Sequence, residues 1–416
     1  MHGHNMILDN QGNFRIERYW NPNFSAQFAS LKSDQEYANE FKEIFINAID
    51  MNLIADVPVG VTLSGGLDSS GITSIATALY KQKHSDQPFY AFSAVHPGET
   101  INEEEYIDEV VNFTGATSVK MTPDVNQFWD DFDNWLYYQE EPVISGAPYA
   151  YYTVMREARK KVTVLLSGQG GDELLAGYIP YFQTYLNSAI ENGKYLDGLR
   201  EMFAGKDLYS KFFFDKVVQQ FKHEARINIQ GIVSKVSENK VEFKSFKNLN
   251  ERLFEDVTKL TTPSLLRYED KNSMANSLES RVPFFDHNVV EYIFNLPIDQ
   301  KIKNGWTRHI YREAMKGLIP EKNRLRRSKI GFTNPEWEWI ERKQQKFLDV
   351  FESDTFKSRP FWKADLVLQN FKLALENKIQ GDVLFFWRVF ITEMWMRTYV
   401  DKFETLDTRS LVNFRK

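Results

Sequence analysis

The chain has 416 residues, 42% of them apolar and 15% aromatic, enough to bury one large core or two moderate ones, which excludes disorder as a starting point. A formal net charge of -6 leaves no basic face or stripe for a phosphate backbone, which argues against nucleic acid as a partner. Cysteine is absent, which excludes disulfides, thiolate zinc sites and a cysteine nucleophile in this polypeptide.

No apolar run is long enough to cross a bilayer, and the opening MHGHNMILDNQGNF lacks the charged-then-apolar layout of a secretory signal. The expected compartment is the cytoplasm, with no membrane partner. His2 and His4 have no acidic or thiolate neighbours and read as a solvated end.

In chain order, the first segment alternates apolar and polar residues through Phe14, Ile16, Tyr19 and Trp20. It breaks at Asn21-Pro22-Asn23, which suits a short strand running into a linker. Residues 36–52 repeat apolar side chains at helical spacing (Tyr37, Phe41, Ile44, Phe45, Ala48), with Ser33 or Asp34 placed to cap the helix. Residues 57–63 read as a buried strand, and Ile72, Ile75, Ala76 and Leu79 mark one face of the helix after it. Strands follow at 89–95, 118–121 and 162–166, with helices at 103–113, stopped by Gly115, and around 151–159. This alternation predicts an α/β fold, a doubly wound and mostly parallel sheet whose ligands sit at the carboxyl ends of the strands. From about residue 181 the chain turns aromatic and charged, then carries Trp337, Trp339, Trp387 and Trp395 in helical patterns up to about 399, a helical C-terminal layer over the sheet.

The chemistry-bearing residues cluster at those strand ends. Ser64-Gly65-Gly66-Leu67-Asp68-Ser69-Ser70 lies between strand and helix. Glycines there let several N–H groups converge, and the helix N-terminus adds positive potential, which makes an anion cradle. There is no Gly-Lys-Ser/Thr ending as in a Walker loop, and Asp68 offers a carboxylate suited to magnesium. Ser167-Gly168-Gln169-Gly170-Gly171-Asp172-Glu173 follows the strand at 162–166, where Asp172 could share the ion with Asp68. A third block runs from Asp270 through Ser273-Met274-Ala275 to Leu278-Glu279-Ser280-Arg281-Val282-Pro283-Phe284-Phe285-Asp286. In it Arg281 can clamp a carboxylate, while Glu279 and Asp270 can hold an ammonium or position the arginine. A fourth is Arg326-Arg327-Ser328-Lys329-Ile330-Gly331-Phe332.

The first of these blocks resembles the pyrophosphate loop, SGGxDS, of the N-type ATP pyrophosphatases, which cleave ATP between the α- and β-phosphates and leave an adenylated substrate. The other three resemble the SGxGxDE, D-x-x-S-M-A...LE-x-RVPF-x-D and K-x-GF segments of the asparagine synthetase family within that superfamily, specifically its C-terminal synthetase domain without the N-terminal glutaminase domain. The resemblance implies an adenine nucleotide alpha-hydrolase-like sheet and a C–N-bond-forming ligase. ATP and Mg2+ would adenylate a carboxylate, L-aspartate by family precedent, and ammonia would displace AMP to give asparagine.

It also implies site residues. Leu63, Ser64, Gly65, Gly66, Asp68, Ser69, Ser70, Ser93, Ala94, Ser167 and Gly168 would bind the nucleotide, and Asp68 and Asp172 the metal. Gln169, Asp270, Glu279 and Arg281 would bind substrate, and Lys329, Gln169 and Asp68 would serve catalysis, Lys329 against the α-phosphate. Gln169 departs from the acid that well-known members carry. Its neutral amide can orient a nucleophile but not readily take its proton.

Residues 1–34 resemble the junction between glutaminase and synthetase domains, 35–400 the synthetase domain, and 401–416 form a tail. Ammonia would arrive free or from a separate glutaminase subunit or domain, and the resemblance leaves room for a homodimer. The alternatives are a relative that forms a lactam, cyclises a peptide or amidates a sugar carboxylate, and a non-catalytic nucleotide-binding subunit.

Overall fold

A computed structural model describes residues 3–21, 32–191, 193–206, 246, 248–327, 336–376 and 384–404. Lys329 lies outside the described residues, as does most of the tail at 401–416.

The chain opens with an antiparallel hairpin, β1 (His4–Leu8) and β2 (Phe14–Arg18), whose register pairs Met6 with Ile16 and Leu8 with Phe14. The apolar alternation at Phe14 and Ile16 does produce a strand, but one with both side chains exposed. Helix α1 (Asp34–Asn52) begins at a capping box: the Ser33 hydroxyl accepts from the Glu36 N–H, and the Glu36 carboxylate accepts from the Ser33 N–H.

The main sheet holds five parallel strands: β3 (Val59–Thr62), β4 (Tyr90–Ala94), β5 (Thr117–Met121), β6 (Val164–Leu166) and β7 (Glu279–Arg281), in spatial order β5-β4-β3-β6-β7. Strand order reverses between β3 and β6, so the crevice of a doubly wound sheet lies outside the carboxyl ends of those two strands. Helices α2 (Leu67–Lys83), α3 (Glu104–Thr114), α4 (Val125–Gln139) and α5 (Ala147–Ala158) make the crossovers, and Gly115 ends α3 in the left-handed region at φ 65°. β7 has three residues and lies inside what reads in sequence as a binding block; α4 also lacks a counterpart in the sequence reading.

The pleat divides the core. Val59, Val61, Ala91, Val164 and Leu166 join one apolar cluster with α1, α2 and the helix His309–Ala314, while Phe92 and Leu165 point to the other face, against Tyr151, Val154 and Met155 of α5. A separate aromatic core joins α4 and α5 to the C-terminal helices Glu336–Arg342, Gln344–Glu352, Ala364–Leu375 and Leu384–Tyr399, with Phe128, Trp135, Trp339, Phe347, Trp387 and Phe390 at its centre. This is the expected helical layer. Among the described residues no helix is long and apolar enough to cross a membrane.

Candidate functional site

β3 delivers the chain at Leu63, which is buried and donates its N–H to the Phe92 carbonyl at 2.8 Å. The turn that follows is ordered by its own hydroxyls. Ser69 Oγ accepts from the Ser64 N–H at 3.2 Å and lies 3.1 Å from Ser64 Oγ, while Ser70 Oγ donates to the Gly66 carbonyl at 2.6 Å. Gly66 is the N-cap of α2 and no side chain among the described residues caps that helix end, which leaves the first-turn N–H groups to an incoming anion.

β6 delivers the second turn, whose Ser167 N–H donates to the Arg281 carbonyl of β7 at 2.9 Å. The two turns meet closely. A Cβ on Gly168 would stand 3.1 Å from the Ser69 nitrogen, and one on Gly171 would stand 2.6 Å from Asp68 Oδ1. Only glycine lets the backbones approach this far. The contact brings Asp68, in the first turn of α2, and Asp172, in the first turn of α6 (Gly171–Leu175), to one and the same guanidinium nitrogen. Arg308 Nη1 is 2.8 Å from Asp68 Oδ2 and 2.9 Å from Asp172 Oδ1. All three residues are buried, at 7%, 4% and 5% exposure. Arg308 precedes the helix His309–Ala314 and has its backbone in the left-handed region at φ 55°. Next to them the Glu173 carboxyl is raised above its usual range, chiefly by burial with the Asp68 charge adding to it, while the Tyr178 hydroxyl donates to it at 2.6 Å.

The donor set fits magnesium. Asp68 Oδ1 is buried without a hydrogen-bond partner among the described residues. No group of three or more His, Cys, Asp or Glu among them could cage a metal by itself. Two carboxylates completed by substrate phosphates are how Mg2+ is usually held. At the end of β4, Ser93 Oγ is likewise buried without a partner among the described residues, beside the half-buried Ala94, at the edge of the same crevice. A cavity of about 1140 Å3 lies elsewhere, between α7 (Ile179–Glu191), α8 (Tyr195–Ala204) and residues 294–304, and none of the motif residues lines it.

The third block divides. Arg281 Nη1 donates to the carbonyls of Asn52 at 2.8 Å and Ile54 at 2.7 Å, and its Nε pairs with Glu279 at 2.7 Å. Glu279 and Asp270 are exposed. Among the described residues, none of these three side chains hydrogen-bonds to the two turns. The residue that does is Glu269, one position before Asp270 and on the buried face of the helix Thr262–Ala275 with Asn272 and Ser273.

The Glu269 carboxylate accepts from Tyr151 at 2.8 Å, from Ser167 at 3.3 Å and from Ser280. Burial lifts it to about 7, against hydrogen bonds from Ser280, Tyr151, Ser167 and the Gln169 side chain that pull it down. The Tyr151 hydroxyl, itself pushed up by burial and then by the Glu269 charge, also reaches Ser167 at 3.0 Å.

The fourth block is described only to Arg327, and that part lies against the site. Asn323 Nδ2 donates to the Gly65 carbonyl at 3.0 Å and to the Tyr106 carbonyl at 3.0 Å. Arg326 pairs with the buried Glu103 and lies over the Tyr106 ring, 4.0 Å from its centroid, while Arg327 lies 4.0 Å from the centroid of Trp306. Glu269, Arg308 and Asn323 are the site residues absent from the sequence reading. Helical phase marks Glu269, whereas no local pattern marks the other two.

A sequence model of the family described as asparagine synthase matches residues 40–397. The chain is 27% identical over 409 residues to the glutamine-hydrolyzing asparagine synthetase 1 of Bacillus subtilis, covering 91% of this chain and 62% of that protein. With synthetase 3 of the same organism it shares 27% over 326 residues, 74% of this chain and 49% of the relative. With the glutamine-hydrolyzing asparagine synthetase of Mus musculus it shares 28% over 304 residues, 71% and 43% respectively. The chain therefore spans less than two thirds of the length of these relatives.

Proposed function

The chain belongs to the asparagine synthase family, and we propose that it joins a carboxylate to ammonia by way of an acyl-adenylate, with pyrophosphate and AMP as by-products. The observation that carries this reading is the meeting of two strand-end turns at the reversal point of the sheet, with Asp68 and Asp172 sharing Nη1 of Arg308.

In this reading the turn 64–70 and the open end of α2 hold the β- and γ-phosphates, which leave together as pyrophosphate. Leu63, Ser93 and Ala94 receive the adenosine, with Ser93 Oγ as the free polar handle, and Ser167 and Gly168 border the sugar and α-phosphate. Asp68 and Asp172 hold magnesium, which when bound neutralises phosphate charge and draws electrons from the bond that breaks. Arg308 supplies a positive charge beside the phosphates. Lys329, two residues beyond Arg327, is assigned to the α-phosphate. Gln169, Asp270, Glu279 and Arg281 are assigned to acceptor and amine. L-Aspartate is the acceptor proposed first, after the names of the relatives. With no cysteine in these 416 residues, ammonia is taken free or from a glutaminase domain or subunit.

A second reading keeps the ATP chemistry and changes the acceptor. It is favoured by Gln169 and by the engagement of Arg281 with the Asn52 and Ile54 carbonyls. ATP/pyrophosphate exchange with a panel of carboxylic acids separates the two. Exchange and asparagine formation with aspartate and ammonium support the first reading, exchange with a different acid only supports the second, and no exchange with any acid overturns both.

A further inference from the structure

The peptide that joins Gly65 to Gly66 lies within the turn 64–70, and its own residues do not fix which way it faces. Turning a peptide plane over changes the backbone dihedrals on either side of it, and glycine accepts both results, so a plane between two glycines flips at little steric cost. Gly65 already stands in the left-handed region at φ 72°. What fixes the plane comes from 258 residues further along the chain. Asn323, fully buried, donates through Nδ2 to the Gly65 carbonyl at 3.0 Å and to the Tyr106 carbonyl of α3 at 3.0 Å, with Ser70 Oγ at 3.4 Å. Its Oδ1 has no partner among the described residues, and turning the amide over would set that oxygen against two carbonyls, so the donor end must face the turn. In a trans peptide the N–H points opposite to the carbonyl. The Gly66 N–H accordingly faces the Ser64 hydroxyl at 3.4 Å, and Ser64 and Gly66 are the two residues of the turn that are partly exposed.

We propose that Asn323 is a positioning residue for the phosphate-binding turn: it holds the Gly65 carbonyl inward, so that the Gly66 N–H stays on the open side, toward the β- and γ-phosphates of the nucleotide. A flipped plane would present the carbonyl oxygen to those phosphates and replace an attraction by a repulsion between two negative ends. The side chain touches no reacting atom and acts through the direction of one backbone N–H.

The inference rests on the nucleotide reading above, and the test keeps the two apart. Binding of Mg2+-pyrophosphate and of AMP is measured by titration calorimetry for the wild type, Asn323→Asp and Asn323→Ala, with ATP/pyrophosphate exchange alongside. Asn323→Asp keeps the shape but sets a carboxylate against the Gly65 and Tyr106 carbonyls, which drives the plane over. Asn323→Ala only frees the carbonyls, and it decides the matter where the first variant does not fold. The Kd for pyrophosphate is expected to rise roughly ten- to a hundredfold in Asn323→Asp, the range of a lost hydrogen bond to a charged group, and by about tenfold in Asn323→Ala. AMP affinity should stay that of the wild type in both, since AMP places no phosphate in the turn. Wild-type affinity for pyrophosphate in the folded variants overturns the inference alone. An equal loss of pyrophosphate and AMP binding makes Asn323 a mere support of the fold and also overturns it. A wild type that neither binds pyrophosphate nor exchanges it with any acid overturns inference and function together.

Discussion

Arg308 carries the strongest consequence at the level of single residues. Two buried carboxylates share its Nη1, and removing one partner of a buried pair costs roughly 3–5 kcal/mol because the charge left behind is uncompensated. Arg308→Gln is expected to lose stability of that order in urea unfolding, and added Mg2+ should raise its Tm more than it raises that of the wild type, since the ion takes over the missing positive charge. An equal rise in both proteins would separate the carboxylates from metal binding. Glu269 predicts a pH dependence. Its pKa is about 7 when folded against an ordinary 4.5, so the folded state holds the proton more tightly than the unfolded chain. The penalty for ionising it is absent below about pH 4.5, grows as pH rises toward 7 and is complete above, amounting to roughly 3 kcal/mol. Between pH 5 and 8 the wild type should lose stability relative to Glu269→Gln by about that amount, and parallel curves would contradict the assignment. Of these residues, Asp68 and Asp172 are legible in sequence because each sits in a glycine turn between strand and helix. Arg308 lies in no motif, and its place follows only from how the helix His309–Ala314 docks on α1. Asp270 and Glu269 are neighbours on a helix, where a step of one residue turns the side chain from the buried face to solvent.

The site at the level of elements depends on how near the turns after β3 and β6 can come. A methyl group on Gly171 would lie 2.5 Å from Asp68 Cγ, closer than real Cβ contacts, so the turns must separate. Gly171→Ala is expected to abolish pyrophosphate exchange, by at least about a hundredfold since a misplacement of about 1 Å costs that much, while far-UV dichroism stays that of the wild type. Retained exchange would mean that the turns need not touch. The strands that carry these turns were readable from apolar runs bounded by turn residues: 57–63 became Val59–Thr62, and 89–95 became Tyr90–Ala94. β7 was not readable, because three residues, Glu-Ser-Arg, have neither alternation nor an apolar run. It is a strand because β6 offers it a parallel edge, Val164 opposite Glu279 and Leu166 opposite Arg281.

Across the whole molecule, the sheet core and the aromatic core are separate clusters joined through α5, whose Tyr149 and Tyr152 face one and whose Tyr151, Val154 and Met155 face the other. The turns after β3 and β6 belong to the sheet side. Phe390 stacks on Phe347 with centroids 4.2 Å apart and packs near Phe132 at 5.6 Å, all buried. Phe390→Ala is expected to cost roughly 3–5 kcal/mol in global stability. Below the unfolding midpoint the folded fraction should keep the wild-type exchange rate, and a lowered rate at full folding would show that the aromatic core shapes the site.

The division between cores also settles what light would report. Of the nine tryptophans, Trp129, Trp135, Trp337, Trp339, Trp362, Trp387 and Trp395 belong to the aromatic cluster, and Trp20 packs by the hairpin against Glu291. Trp306 alone lies against the cations that lead toward Lys329, with Arg327 at 4.0 Å and Arg312 at 4.8 Å from its ring centroid. Intrinsic emission is therefore dominated by the indoles of the aromatic cluster, with one indole, Trp306, set against Arg312 and Arg327. A small quench on nucleotide addition that vanishes in Trp306→Phe would make the protein its own titration dye.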